Sequence, residues 1–168
     1  MNRHSCIVKL SINETLDKCH GFIFRFETWA NVKDSLVEAY GAEADSVLFK
    51  AAINAGRRSA HRRLEVARDK KEALKLLTAF KVSQNWGKIV FSKINFRKKK
   101  GTIHIIDSFE ANKIKSLKPI CHFFKGYLNG FLSEFFQEDI WIDENKCKAQ
   151  GEDQCEFIFF LKKDKMSS

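Results

Sequence analysis

The segment ENKCKAQGEDQC, residues 144–155, places Cys147 and Cys155 equidistant from Gly151, with Glu144 three residues before the first thiol. A hairpin turning about Gly151 sets the two cysteines opposite each other. Side chains alternate along a strand, so Glu144 joins Cys147 at one point only if the chain bulges near Asn145 and Lys146. A further thiol, Cys121, stands two residues past Pro119 at the head of an apolar run. The N–H groups and dipole of a first helical turn favour its thiolate there. Three thiolates and a carboxylate form a four-coordinate set that suits zinc. With every position filled by protein, such a site is structural, not catalytic. Spacing alone leaves a second reading open, because opposed cysteines on a hairpin also satisfy disulfide geometry. Cys6 and Cys19 read as free thiols.

The elements that must position this group follow from periodicity. ETWANVKDSLVEAYG has apolar residues at helical intervals and a stop at Gly41. In the next helix Ala44, Val47, Leu48, Ala51, Ala52 and Ala55 make an apolar stripe, and later turns are expected to carry the arginines outward. A third helix is expected from about Lys71 to Asn85. Alternation then replaces helical spacing: KIVFSKINF and GTIHIIDSF flank RKKKG as a hairpin with a charged turn, in which Gly101 is expected to adopt a backbone conformation that other residues resist. Pro119 suits a first helical turn, and ICHFFKGYLNGFLSEFF follows as an apolar helix to about Phe136. Gly126 and Gly130 share one face of it and admit another backbone. DIWIDENKC and CEFIFFLKK complete a second hairpin. The expected class is α+β: an antiparallel sheet of two hairpins packed against N-terminal helices and one central apolar helix. Residues 1–20 read as a tail or a short strand near Cys6 to Leu10, residues 21–163 as one domain, and 164–168 as a tail.

At 168 residues, 44% of them hydrophobic, the chain affords one substantial core and no room for a separate output domain. No apolar run approaches the ~18 residues of a membrane span, and the N-terminus lacks the apolar centre of a secretory signal. A cytoplasmic location is expected, where clustered thiols bind metal more often than they form disulfides. The net charge of +9 is concentrated: residues 57–71 hold seven basic and two acidic residues, and Arg97 to Lys100 are all basic. Such a patch can draw in nucleic acid or an anionic surface, or be a solvated helix face and loop; without a groove-reading motif, nucleic acid is not supported beyond the patch itself. No paired carboxylates, nucleophile with its base, or Gly-rich phosphate turn is legible, and no catalytic residue is assigned.

The segment from Asp107 to Phe160 resembles the C-terminal half of the 4-vinyl reductase domain family. The likeness rests on SFEA (Ser108 to Ala111), Pro119 and Cys121, GYLNGF (Gly126 to Phe131), and the run Glu144, Cys147, Gly151, Cys155. The family is similar to the sensory domains of bacterial activators that respond to aromatic compounds. The resemblance implies that Cys121, Glu144, Cys147 and Cys155 all bind a structural zinc ion. It also implies a small hydrophobic or aromatic ligand held between helices and sheet, and a homodimer. The family's name raises a tetrapyrrole vinyl-reductase or accessory protein as an alternative, and a scaffold related to trafficking-complex subunits is another.

An apolar guest site needs aromatic walls and a polar group or two. Among 16 phenylalanines and three tryptophans, the expected lining is Phe91, Phe109, Phe123, Phe124, Tyr127, Phe131 and Trp141, with His104 as a hydrogen-bond donor.

Overall fold

The computed structural model describes residues 25–165. The strand expected near Cys6, and Cys6 and Cys19 themselves, lie outside the described residues. The chain divides into two units, residues 1–44 and 45–168. In the first, helix α1 (Phe26–Tyr40) stops at Gly41, whose φ of 51° is a left-handed value that glycine adopts without strain. A 3-10 turn, Gly41–Glu43, follows.

The second unit opens with α2 (Ala44–Val66) and α3 (Lys70–Ser83). Asp69 caps α3, its side chain accepting from the Glu72 N–H at 2.8 Å. Two hairpins follow: β1 (Lys88–Asn95) with β2 (Lys100–Ile106), then β3 (Ile140–Lys146) with β4 (Cys155–Leu161). Helix α4 (His122–Phe136) lies between them in sequence, and a short helix, α5 (Lys162–Lys165), overlaps the start of the expected tail. The fold is α+β. All strand pairs are antiparallel and the sheet order is β1-β2-β4-β3, so β2 and β4 join the hairpins.

Register decides which side chains meet α4. Ile89 lies opposite Ile105, Ile103 opposite Phe157, and Ile142 opposite Phe159. These residues are buried in one cluster with Phe124, Leu128, Phe131 and Phe135 of α4. The alternate positions, His104, Glu156 and Trp141 among them, project from the opposite face.

Gly56 of α2 and Gly126 and Gly130 of α4 make the helix crossing close. A Cβ on Gly126 would strike the Phe49 carbonyl oxygen, one on Gly130 the Ile53 carbonyl, and one on Gly56 the Tyr127 carbonyl. The role expected for Gly126 and Gly130 is therefore met by backbone contact.

Three expectations need correction. Gly101 has no left-handed φ; what restricts it is space, since a Cβ would stand 3.0 Å from the Phe159 ring and 3.1 Å from Ile94 Cα. Pro119 precedes α4, and Cys121 is its N-cap, not a first-turn residue. The arginines of α2 do not all face outward: Arg57, Arg58 and Arg62 are exposed, but Arg63 is buried. Helical spacing turns Arg63 onto the stripe that also carries Ala52, Gly56 and Ser59.

Candidate metal centre and the adjoining aromatic cluster

Two devices bring Glu144, Cys147 and Cys155 together. A bulge shifts the β3–β4 register between Glu144 and Lys146: Glu144 faces Phe157, whereas Lys146 faces Glu156. This irregularity is the one that the spacing of Glu144 and Cys147 demands, and it carries the chain so that Cys147 comes alongside Cys155. The connection then closes through a 3-10 turn, Lys148–Gln150, and Gly151 at φ 97°.

The fourth member arrives from α4. The Cys121 carbonyl accepts the first helical hydrogen bond, from Lys125 at 2.8 Å, and its N–H donates to Glu144 Oε2 at 3.0 Å. The three sulfurs lie 3.6 Å (Cys121 to Cys155), 3.9 Å (Cys121 to Cys147) and 3.9 Å (Cys147 to Cys155) apart. All three cysteines are free and buried. The ligand atoms of Cys121, Glu144, Cys147 and Cys155 all lie within 4.8 Å of one another. A tetrahedral centre with metal–sulfur bonds of about 2.3 Å has sulfurs about 3.8 Å apart, so the spacing fits.

Electrostatics agree. Burial first, then the Cys147 thiolate, push Glu144 up to about 8. Hydrogen bonds from Cys121 and Cys155 lower Cys147, while the same contacts and burial hold Cys121 as a thiol. The protein alone thus keeps protons in the group, which a bound cation would displace. Glu144 Oε1 is buried without a hydrogen-bond partner, a free lone pair beside the sulfurs. Outer contacts orient the donors: the Lys148 N–H points at Cys155 Sγ (3.4 Å), and Ser108 Oγ lies 3.5 Å from Cys121 Sγ. This buried Cys3Glu group could hold a metal ion.

The SFEA stretch has a use that the sequence alone did not disclose. Glu110, fully buried, accepts the N–H groups of Phe123 (3.2 Å) and Phe124 (2.6 Å) at the start of α4. Ser108 and Glu110 together hold the helix end that carries Cys121.

Of the eight residues expected to line a ligand site, Phe109, Phe123, Phe124 and Tyr127 come together. Their ring centroids lie 5.2, 5.7, 5.9 and 5.2 Å from that of Trp86, which the sequence reading did not single out. Trp86 sits just before Gly87, in the turn joining α3 to β1, and its carbonyl accepts the Phe109 N–H at 3.1 Å. Phe131 lies deeper, stacked on Phe135, and Phe91 packs at the margin of the core. His104 and Trp141 are on the other face of the sheet: His104 Nδ1 is 3.2 Å from Gln154 Nε2, and Lys165 Nζ lies 3.3 Å from the Trp141 ring centre. Two surface depressions among the described residues are lined by none of these rings. One lies between Lys115–Leu117 and Ala149–Gly151, the other along α1.

Residues 102–160 match the family model of the V-4-R domain, the 4-vinyl reductase domain, which spans the stretch carrying the sequence resemblance. No curated protein matches the chain. Among solved structures, the phenol-responsive sensory domain of the transcription activator PoxR, with phenol, shares the fold at a TM-score of 0.75 and 18% identity, over 84% of this chain and 76% of that one. A trafficking protein particle complex subunit 3 from Naegleria fowleri, covalently bound to palmitic acid, gives 0.61 and 16% over 82% and 92%. A vinyl-4-reductase family protein from Methanocaldococcus jannaschii gives 0.56 and 19% over 85% of each chain.

Proposed function

We propose that this chain is a sensor-type domain that binds a small hydrophobic molecule among the rings around Trp86 and is braced by a structural zinc ion. Cys121, Glu144, Cys147 and Cys155 are the zinc ligands in this reading. The ion's part is to pin the start of α4 to the β3–β4 hairpin, leaving no coordination place for substrate. Free thiols of this kind suit a reducing compartment such as the cytoplasm.

The observation that carries the reading is the convergence of Phe109, Phe123, Phe124 and Tyr127 on Trp86, next to the Cys3Glu group, in a fold shared with a domain solved with phenol. The start of α4 supplies Cys121, its N-cap, to one group and Phe123 and Phe124 of its first turn to the other. A metal that fixes this turn therefore also fixes two walls of the guest site. Native mass spectrometry of gently purified protein, with elemental analysis, tests it: about one zinc per chain and a retained or exchangeable apolar molecule are expected. A folded protein free of metal, which takes up no aromatic compound, would end the reading.

Pairing of two chains through α1 belongs to the same proposal. Its Phe26, Val37 and Tyr40 are each half exposed, an apolar surface that a second copy covers. Light scattering at micromolar concentration is expected to give a dimer, and a monomer there removes this element.

A further inference from the structure

Two cations lie inside the second unit without a counter-charge. Lys81 of α3 is 3% exposed and Arg63 of α2 is 7% exposed. Buried cations are ordinarily paired with carboxylates. Here neither has one among the described residues. Lys81 Nζ donates to Gln84 Oε1 at 2.9 Å and lies 3.2 Å from the ring centre of Trp86 and 4.2 Å from that of Tyr127. Arg63 donates one N–H to the Ser59 carbonyl at 2.9 Å and covers the Phe80 ring at 4.4 Å, while its Nε is buried with no partner. Lys81 shares that Phe80 ring from 5.5 Å. Tyr127 ties the two ends together, its hydroxyl donating to Ser59 Oγ, the side chain of the residue whose carbonyl holds Arg63.

The alternatives do not explain this arrangement. Snorkelling leaves a charged head in water, and these heads are covered. Ring faces stabilise a cation by far less than burying an ion costs. Burial first, then the neighbouring charges of Arg63 and Arg62, push Lys81 down to about 6. As it stands, the site penalises its own cation. An anion placed beside Lys81 and the unpartnered Arg63 Nε removes that penalty, and the Trp86 cluster sits against the same ammonium.

We propose that the guest of this domain is an anion on an apolar body, a carboxylate or comparable group on an aromatic or aliphatic frame, whose charge is met by Lys81 and Arg63 while its body lies on Trp86, Phe109 and Phe123. This rests on the guest-binding reading above and adds the ligand's charge to it. The guest takes the place of Gln84 at Lys81. Gln84 is exposed, at the C-terminal end of α3, so the exchange starts at the surface beside the Gln84–Gly87 turn.

Titration calorimetry of the full chain with benzoate, benzamide and phenol tests the proposal, because the first two share a shape and differ in charge. Benzoate is expected to bind at least about tenfold more tightly than benzamide, the worth of one charge-assisted hydrogen bond. Lys81→Met, which leaves an apolar side chain in an apolar setting and should fold, abolishes the preference; Arg63→Met reduces it, and Lys81→Arg retains part of it. If benzamide or phenol binds as tightly as benzoate, or if Lys81→Met keeps the preference, the anionic class is wrong while the guest site stands. If none of the three binds at millimolar concentration, both readings fail.

Discussion

The N–H of Cys121 donates to Oε2 of Glu144 across 3.0 Å, while Oε1 of the same carboxylate is buried and accepts nothing. One carboxylate thus does two jobs. It closes the N-terminus of α4 with one oxygen and leaves the other unpartnered beside the three sulfurs, where a cation could take both kinds of donor. Two elements far apart in sequence are thereby held at one point.

Removing one member should therefore cost more than a thiol's burial. Cys155→Ser is expected to abolish retention of the metal and to lower the thermal midpoint by roughly 10 °C or more, since ~1 kcal/mol is worth about 2–4 °C at this size. Glu144→Gln keeps an acceptor for the Cys121 N–H but removes the charge. It should weaken metal affinity at least about tenfold with a smaller loss of stability. Competition with a chelator followed by thermal unfolding separates the two effects; equal behaviour of both variants and wild type would sink the metal centre.

The α2–α4 crossing makes a prediction independent of any ligand. Gly126→Ala forces a methyl group into the Phe49 carbonyl, and backbone cannot move aside as a flexible side chain can. A loss of about 1–3 kcal/mol is expected in urea unfolding, against a gain of about 1 kcal/mol if the position were an open helix site. A stabilised variant would refute the close approach.

Much of this was legible in the sequence, for reasons that differ by residue. The meeting of Glu144, Cys147 and Cys155 was readable because these residues and Gly151 are local, and a two-residue side-chain period forces the bulge between the first two. Gly126 and Gly130 were readable because their spacing is helical and no side chain competes. Trp86, Lys81 and Arg63 were not, because a lone tryptophan in a turn and a lysine on a helix have the same pattern whether they face solvent or core. Only the packing of α3 against β1, with Thr78 Oγ1 donating to the Ile89 carbonyl at 2.9 Å, turns Lys81 inward. His104 and Trp141 were expected beside the rings that gather at Trp86 by residue type, whereas strand parity sends them to the far face of the sheet.

Glu110 closes two N–H groups of α4 from a loop that precedes it by a dozen residues. Glu110→Gln keeps one acceptor and loses the charge that faces the helix dipole; Glu110→Ala leaves both N–H groups without a partner in a buried place. Costs of about 1 kcal/mol and about 2–4 kcal/mol are expected. The order should also appear in hydrogen exchange of the Phe123 and Phe124 amides, fastest in the alanine variant. Unchanged exchange in both would show that another group caps the helix.

Lys81 gives the stability a pH dependence of calculable sign. Its folded value of about 6 lies below the 10.5 of an unfolded lysine, so between those limits the unfolded chain holds the extra proton. Stability from this group is lowest below pH 6, where both states carry the charge, and rises as pH climbs toward 10.5, with a slope of at most about 1.4 kcal/mol per unit. Glu144, pushed up to about 8 by burial, titrates over part of the same range, so the diagnostic is the difference between wild type and Lys81→Met. In urea titrations of ligand-free protein at pH 6, 7 and 8, the variant is expected to be more stable by ~1–4 kcal/mol at pH 6. That advantage shrinks at each step upward, because the wild-type lysine sheds its proton while methionine has none to lose. A constant gap across the three values would mean that Lys81 keeps its charge in the core, and would place its ammonium in contact with water or an anion already present.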